Sequence, residues 1–225
     1  MFIFLTKYLV KNNMKTIIHY GLILLIISGL AAAVLAYVNE ITRPNIEKVQ
    51  KKKLIEGQKI AFPTADTFSD ELKFNVDGKD YIYFEVYDSE KNVIGYELKY
   101  AVQGYQSLIG VLTGIDTNFT IVAIKILEQA ETPGLGTEIE TIPSTETIWS
   151  ELRDLFSKNK KVRKKEIPAF QAQFQNKTIE QLECVRWNNP QKISAIAGAT
   201  VTSDAVTKAV REPIAAFLKY KGVAK

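Results

Sequence analysis

The sequence predicts an α+β protein: one N-terminal transmembrane helix, then a single globular domain with a mostly antiparallel sheet flanked by helices. Three observations carry this. Thr16 to Val38 is a long run without Asp, Glu, Lys or Arg. Between Tyr81 and Leu127, β-forming runs follow one another across short turns, which reads as hairpins rather than alternating strand–helix units. Val201 to Lys221 is amphipathic with helical spacing. The expected organisation is a short tail over 1–15, a transmembrane helix over 16–38, a stalk helix or linker over 39–60 and one domain over 61–225.

The apolar run exceeds the roughly 20 residues needed to cross the hydrocarbon core. It is also longer than the h-region of a cleaved signal peptide, so it reads as an uncleaved anchor in contact with lipid. Tyr20 and Tyr37 stand near its ends, where aromatic rings favour the interface. Lysines 7, 11 and 15 before the run are matched by Arg43, Lys48 and Lys51–Lys53 after it, so charge alone does not orient the anchor. Met14 is a second candidate start. Thr42 followed by Pro44 predicts a helix entry, and Ile46, Val49, Leu54 and Ile55 give the stalk a weak apolar side.

Tyr81–Val86 and Val93–Tyr100 flank a turn at residues 88–92 and predict one hairpin; Ile109–Ile115 and Thr120–Leu127 predict a second. Thr147–Phe156 reads as helix, Ile167–Phe174 is ambiguous because of Pro168, and Cys184 falls in a short strand-like run. The last helix should take Ser203 or Asp204 as N-cap and be kinked or divided at Pro213.

Bulk chemistry excludes several classes. The 225 residues carry a net charge of only +4, with basic runs that are not interleaved with stacking aromatics, so no nucleic-acid partner is expected. One cysteine and one histidine cannot build a disulfide, a zinc site or an iron–sulfur cluster. His19 lies in the apolar run, so neither a Ser–His–Asp set nor a Cys–His pair is available. Asp70 with Glu71 and Glu85 with Asp88 read as solvated carboxylates. Trp149 and Trp187 read as packing residues and Cys184 as a small packed apolar side chain. No catalytic residue and no metal site is expected.

Two runs carry chemistry. In Ala197-Gly198-Ala199-Thr200, small residues precede a helix and leave the Thr200 hydroxyl uncrowded beside free helix-start amides, the parts of a phosphate-bearing site. Taken alone, that run is equally a turn packed on a strand. Glu131-Thr132-Pro133-Gly134-Leu135-Gly136 leaves the fourth strand of the hairpin pairs as a tight glycine-rich loop. Its two glycines lack the third of a dinucleotide fingerprint.

In this order, and with Asn39-Glu40-Ile41-Thr42-Arg43 after the anchor and Gly104-Tyr105 leading to Ile109-Gly110-Val111-Leu112, the runs resemble the FMN-binding subunits of the Rnf and Na⁺-translocating NADH:quinone reductase complexes. The length fits the Rnf member, RnfG, better. The resemblance implies an extracytoplasmic FMN-binding domain in the cell membrane, with FMN joined covalently through its phosphate to Thr200. Ala197, Gly198, Ala199, Thr202, Ser203, Glu131, Thr132, Gly134, Leu135 and Gly136 would lie around the cofactor. It further implies attachment by a Mg²⁺-dependent flavin transferase, and electron transfer among the other membrane subunits of a ferredoxin:NAD⁺ oxidoreductase coupled to Na⁺ or H⁺ transport. The alternatives are an anchored scaffold of the same fold without flavin, or a flavinylated carrier outside such a complex. The family pattern has an Asp six residues before the acceptor and Ser or Thr before the glycine; this chain has Ser194 and Ala197.

Overall fold

Alternating β-branched and aromatic residues pair as hairpins, and the pairs join into one sheet. The computed structural model describes residues 2–142 and 167–223, with side chains from residue 15. Its main sheet contains β1 (Thr67–Phe68), β2 (Leu72–Val76), β3 (Lys79–Tyr87), β4 (Val93–Gln103), β5 (Leu108–Asp116) and β6 (Ile121–Glu128). The order is β1-β3-β4-β5-β6, with β2 also paired to β3 and every pairing antiparallel. Both expected hairpins are present. β1 and β2 were not anticipated: each is short, and an edge strand of a few residues leaves little periodic signal.

The chain divides into two units, Met1–Lys51 and Lys52–Lys225. In the larger unit both faces of the sheet are covered. One face packs on α3 (Thr200–Tyr220), with Leu98, Ile109, Val111 and Ile115 against Val206, Val210, Ile214 and Phe217. The other face carries Phe84, Leu112 and Leu127 against Leu54, and Val86 and Ala123 against Ala61 and Phe62. Coverage on both sides explains why β5 reads as an unbroken apolar run rather than an alternation. Each fully buried side chain of this size contributes about 1.5–3 kcal/mol. Glycine permits the close approach on the second face: a Cβ on Gly95 would stand 2.5 Å from Phe62 Cζ, and one on Gly114 2.8 Å from Ala61 Cβ.

Glu97 lies in this second layer, fully buried, and neither of its carboxylate oxygens has a hydrogen-bond partner. Burial pushes its pKa up to about 8, and the nearby Gln58 amide, too poorly aligned to count as a hydrogen bond, only tempers the rise.

In the smaller unit, α1 (Phe2–Ala61) contains the run long and apolar enough to cross a membrane, within Lys15–Ala61. The helix entry expected at Thr42–Pro44 does not occur. α1 continues through Pro44, and the Thr42 hydroxyl donates back to the Val38 carbonyl at 2.8 Å rather than capping a new helix. Pro213 likewise lies within α3 without dividing it: its ring is buried and the flanking Val210, Ile214 and Phe217 hold the helix on the sheet. The ambiguous run after Pro168 forms the short α2 (Ala169–Ala172). β7 (Cys184–Val185) and β8 (Ile193–Ser194) pair in parallel. The helix expected over Thr147–Phe156, with Trp149, falls outside the described residues.

Candidate functional site

α3 starts earlier than its sequence predicts. Ala199 is the N-cap and has no side-chain cap, and the Ser203 N–H donates to the Ala199 carbonyl at 2.9 Å as the first helical bond. Gly198 makes this early start feasible, since its φ of +77° turns the chain at low cost. Ser203 is therefore no N-cap. Its hydroxyl donates to the Ala199 carbonyl at 2.9 Å and accepts the Ile196 N–H at 3.0 Å, inside the turn. Asp204 instead pairs with Lys208 one turn on. The amides of Thr200, Val201 and Thr202 thus precede the first helical bond and have no intrahelical acceptor. With the helix dipole they form a ready anion site.

The loop after β6 faces this helix start across a cleft of about 560 Å³, a volume typical of small-molecule sites. Tyr105, Glu131, Thr132, Leu135 and Gly136 line one side, and Gly198, Ala199, Thr200, Val201 and Thr202 the other. Gly134, with φ +73°, forms the tip of the loop and donates its N–H to Thr137 Oγ1 at 3.0 Å; it does not line the cleft. Neither do Ala197, which is exposed, or Ser203, which is fully buried. The two motif loops touch: a Cβ on Gly198 would stand 3.0 Å from Leu135 Cδ2, and one on Gly136 3.0 Å from Thr202 Oγ1.

Glu131 is buried at the root of the cleft. Its Oε1 accepts the Gln106 N–H (3.0 Å), the Ser107 N–H (2.9 Å) and the Ser107 hydroxyl (3.2 Å). Its Oε2 accepts the Thr202 hydroxyl (2.6 Å) and, at 3.3 Å, the Tyr105 N–H. Burial alone would raise the carboxyl's pKa. The hydrogen bonds from Thr202, from the Ser107 and Gln106 amides and from the Ser107 hydroxyl outweigh burial and hold it below the usual range.

The hydroxyls of the run sort by commitment. Thr202 donates to Glu131 and Ser203 to Ala199, and both are buried. Thr200 lines the cleft, is half-buried, and among the described residues its hydroxyl has no hydrogen-bond partner. Ser194 points elsewhere. Its Oγ accepts the Asn189 N–H at 3.2 Å, and its backbone is held by the Gln173 side chain, which accepts the Ser194 N–H at 2.8 Å and donates to its carbonyl at 3.3 Å.

Sequence reasoning assigned no role to Tyr105, Ser107 or Val201. Tyr105 had a signal, since it belongs to the Gly104-Tyr105 run, but Ser107 is placed only by the turn that folds onto Glu131. Trp187 is 69% exposed and outside the cleft lining. The half-buried Cys184 thiol is pushed up by burial and by Asp204, the opposite of an activated thiolate. Among the described residues no group of His, Cys, Asp and Glu could hold a metal ion.

Comparison with known proteins bears on this geometry. Residues 104–215 match the family model of the FMN-binding domain, and residues 9–56 match the RnfG N-terminal region. The chain belongs to the RnfG family. The RnfG protein from the ion-translocating oxidoreductase complex of Methanosarcina acetivorans is 28% identical over 90% of this chain and 95% of that one. Its counterpart in the Na⁺-translocating ferredoxin:NAD⁺ oxidoreductase complex of Acetobacterium woodii is 29% identical, over 94% and 97%. The corresponding protein from the proton-translocating complex of Clostridium ljungdahlii is 27% identical, over 87% of each chain. Among solved structures, NqrC of Shewanella oneidensis is similar at 17% identity and a TM-score of 0.42, over 72% of this chain and 73% of that one. The family's cofactor fits the residues present. Free helix-start amides suit a phosphate, and the exposed apolar groups of Tyr105, Leu135 and Val201 at the cleft suit a flat aromatic ring.

Proposed function

We propose that this RnfG-family chain is a membrane-anchored electron carrier whose FMN is attached covalently through its phosphate to Thr200. The observation that carries this reading is the distribution of hydroxyls: Thr202 and Ser203 are committed to buried hydrogen bonds, while Thr200 stands uncommitted in the cleft between the two motif loops. Attachment needs FAD and a Mg²⁺-dependent flavin transferase. The P–O bond of FAD that joins the FMN phosphate to AMP breaks, a new P–O bond forms to Thr200 Oγ, AMP leaves, and the hydroxyl proton passes to the transferase or to solvent.

The isoalloxazine, when bound, supplies the one- and two-electron chemistry. This chain's residues do the rest. The amides of Thr200, Val201 and Thr202 face the phosphate charge, Leu135 and Tyr105 bound the cleft, and Glu131 holds its walls together. Of the residues expected around the cofactor, Thr132, Gly136, Gly198 and Ala199 contribute backbone and small side chains to the same cleft. Ala197, Gly134 and Ser203 act one step behind it, as turn residues.

The complex served is an Rnf-type ferredoxin:NAD⁺ oxidoreductase, in which this chain passes electrons between neighbouring membrane subunits during Na⁺ or H⁺ transport. The domain lies on the extracytoplasmic side, tethered in lipid by residues 16–38. Supporting this are the apolar helix and the relatives' names as subunits of such complexes.

The test is a denaturing gel of the chain produced with a flavin transferase. A fluorescent band is expected from the wild type and none from Thr200→Val; fluorescence that survives in Thr200→Val overturns the assignment. Sidedness is tested by moving the one cysteine to an exposed place, Trp187→Cys in a Cys184→Ser background. A membrane-impermeant maleimide should label this variant in intact cells, and labelling only after lysis would reverse the orientation.

A further inference from the structure

We infer that Glu131 is not a flavin ligand but the positioning residue that presents Thr200, acting as a lock closed by Thr202. This inference rests on Thr200 being the acceptor.

Every acceptor direction of the Glu131 carboxylate is already used. Oε1 takes the Gln106 and Ser107 amides and the Ser107 hydroxyl; Oε2 takes Thr202 Oγ1 and the Tyr105 amide. Nothing is left to offer a cofactor. These bonds join three segments distant in sequence: the turn before β5, the loop after β6 and the first turn of α3. At 2.6 Å, the Thr202 bond is the shortest of the set and the one side-chain tie from the carboxylate to α3.

The packing is built around this lock. A Cβ on Gly104 would stand 2.7 Å from Glu131 Oε1, and one on Gly136 2.6 Å from Glu131 Cβ. Both glycines leave the carboxylate just enough room. Ser107 is drawn in further, since its hydroxyl also accepts the Ala130 N–H at 2.8 Å. A buried carboxylate with charge-assisted bonds from every side is rigid, and losing one donor leaves charge uncompensated. Thr202 lies two residues beyond the acceptor in the same turn. Fixing its hydroxyl to Glu131 therefore sets the rotation of that turn, and with it which hydroxyl faces the cleft.

The test uses the full chain in detergent, purified without flavin and then given flavin transferase, Mg²⁺ and FAD. Initial rates of covalent labelling are read by in-gel fluorescence, and the labelled residue by peptide mass spectrometry. Thr202→Val should lower kcat/KM for labelling at least tenfold while its thermal midpoint shows a folded domain. Thr202→Ser, which restores the donor, should recover the rate to within about twofold. A folded Thr202→Val labelled at the wild-type rate overturns the lock, as does Thr202→Ser falling as far as Thr202→Val.

Amide exchange of the wild type supplies a second arm that needs no variant. The Gln106 and Ser107 amides should exchange as slowly as that of Ser203, because one lock protects them; exchange at open-loop rates overturns the proposal. Failure of the underlying reading looks different: the wild type would take no label, or would carry it on a residue other than Thr200.

Discussion

At the residue scale, the site is defined by which polar groups are spent and which are free. Thr200 differs from Thr202 and Ser203 in having no partner, not in chemistry. The same accounting explains the departure from the family pattern at Ser194. Its hydroxyl accepts the Asn189 N–H, a role that a carboxylate also fills. Ser194→Asp should therefore leave stability within about 0.5 kcal/mol of the wild type, as denaturant titration would show. Glu97 is the opposite case, a buried carboxyl with no partner. Below about pH 4.5 it is protonated in both folded and unfolded chains and costs nothing. As pH rises towards about 8, only the folded state holds the proton, so stability falls by up to about 1.4 kcal/mol per pH unit and then levels. Glu97→Gln should remove most of that slope. Thermal midpoints at pH 5.5 and 8.5 measure it, and an unchanged slope in the variant would refute the assignment.

At the element scale, two helices position the sheet from its two sides. α3 presents its start to the cleft because its buried stripe fixes its direction on the sheet. Phe217 lies fully buried near its other end, in contact with Tyr83, Tyr96 and Phe74. Phe217→Ala should cost about 3–5 kcal/mol in denaturant unfolding. On the opposite face the last turns of α1 settle into glycine-lined grooves. Gly114→Ala sets a methyl against Ala61 and should cost about 1–3 kcal/mol. Its signature is faster proteolysis within residues 52–61, not loss of the cleft.

At the scale of the whole molecule, the buried carboxylates bracket the pH range of stability. Glu131 has a lowered pKa, so its contribution is present above the unfolded value and is lost as pH falls through the folded one. Glu97 has a raised pKa and works against stability on the alkaline side. The domain is therefore expected to be most stable in weakly acidic solution, near pH 5. A stability profile rising steadily from pH 5 to pH 8 would contradict this. The +4 net charge is too small to override these buried groups.

Much of the architecture was legible in residue order. A long uncharged apolar run, paired β-rich runs and a late amphipathic run are local patterns, and local periodicity sets element type. The anchor-bearing helix, the hairpins of β3 to β6 and the amphipathic helix follow from it. The Gly-Ala-Thr and Glu-Thr-Pro-Gly-Leu-Gly runs marked where chemistry would lie, because glycine and an uncrowded hydroxyl are properties of single positions. Tertiary structure decided what depends on partners far along the chain. It drew the start of α3 back to Thr200, spent Thr202 and Ser203 on buried bonds, and turned Glu131 from an expected ligand into the tie between three segments. It also placed Glu97 without a partner beneath the end of α1. Whether a polar group is satisfied depends on what folding brings beside it, and that no local pattern in the sequence encodes.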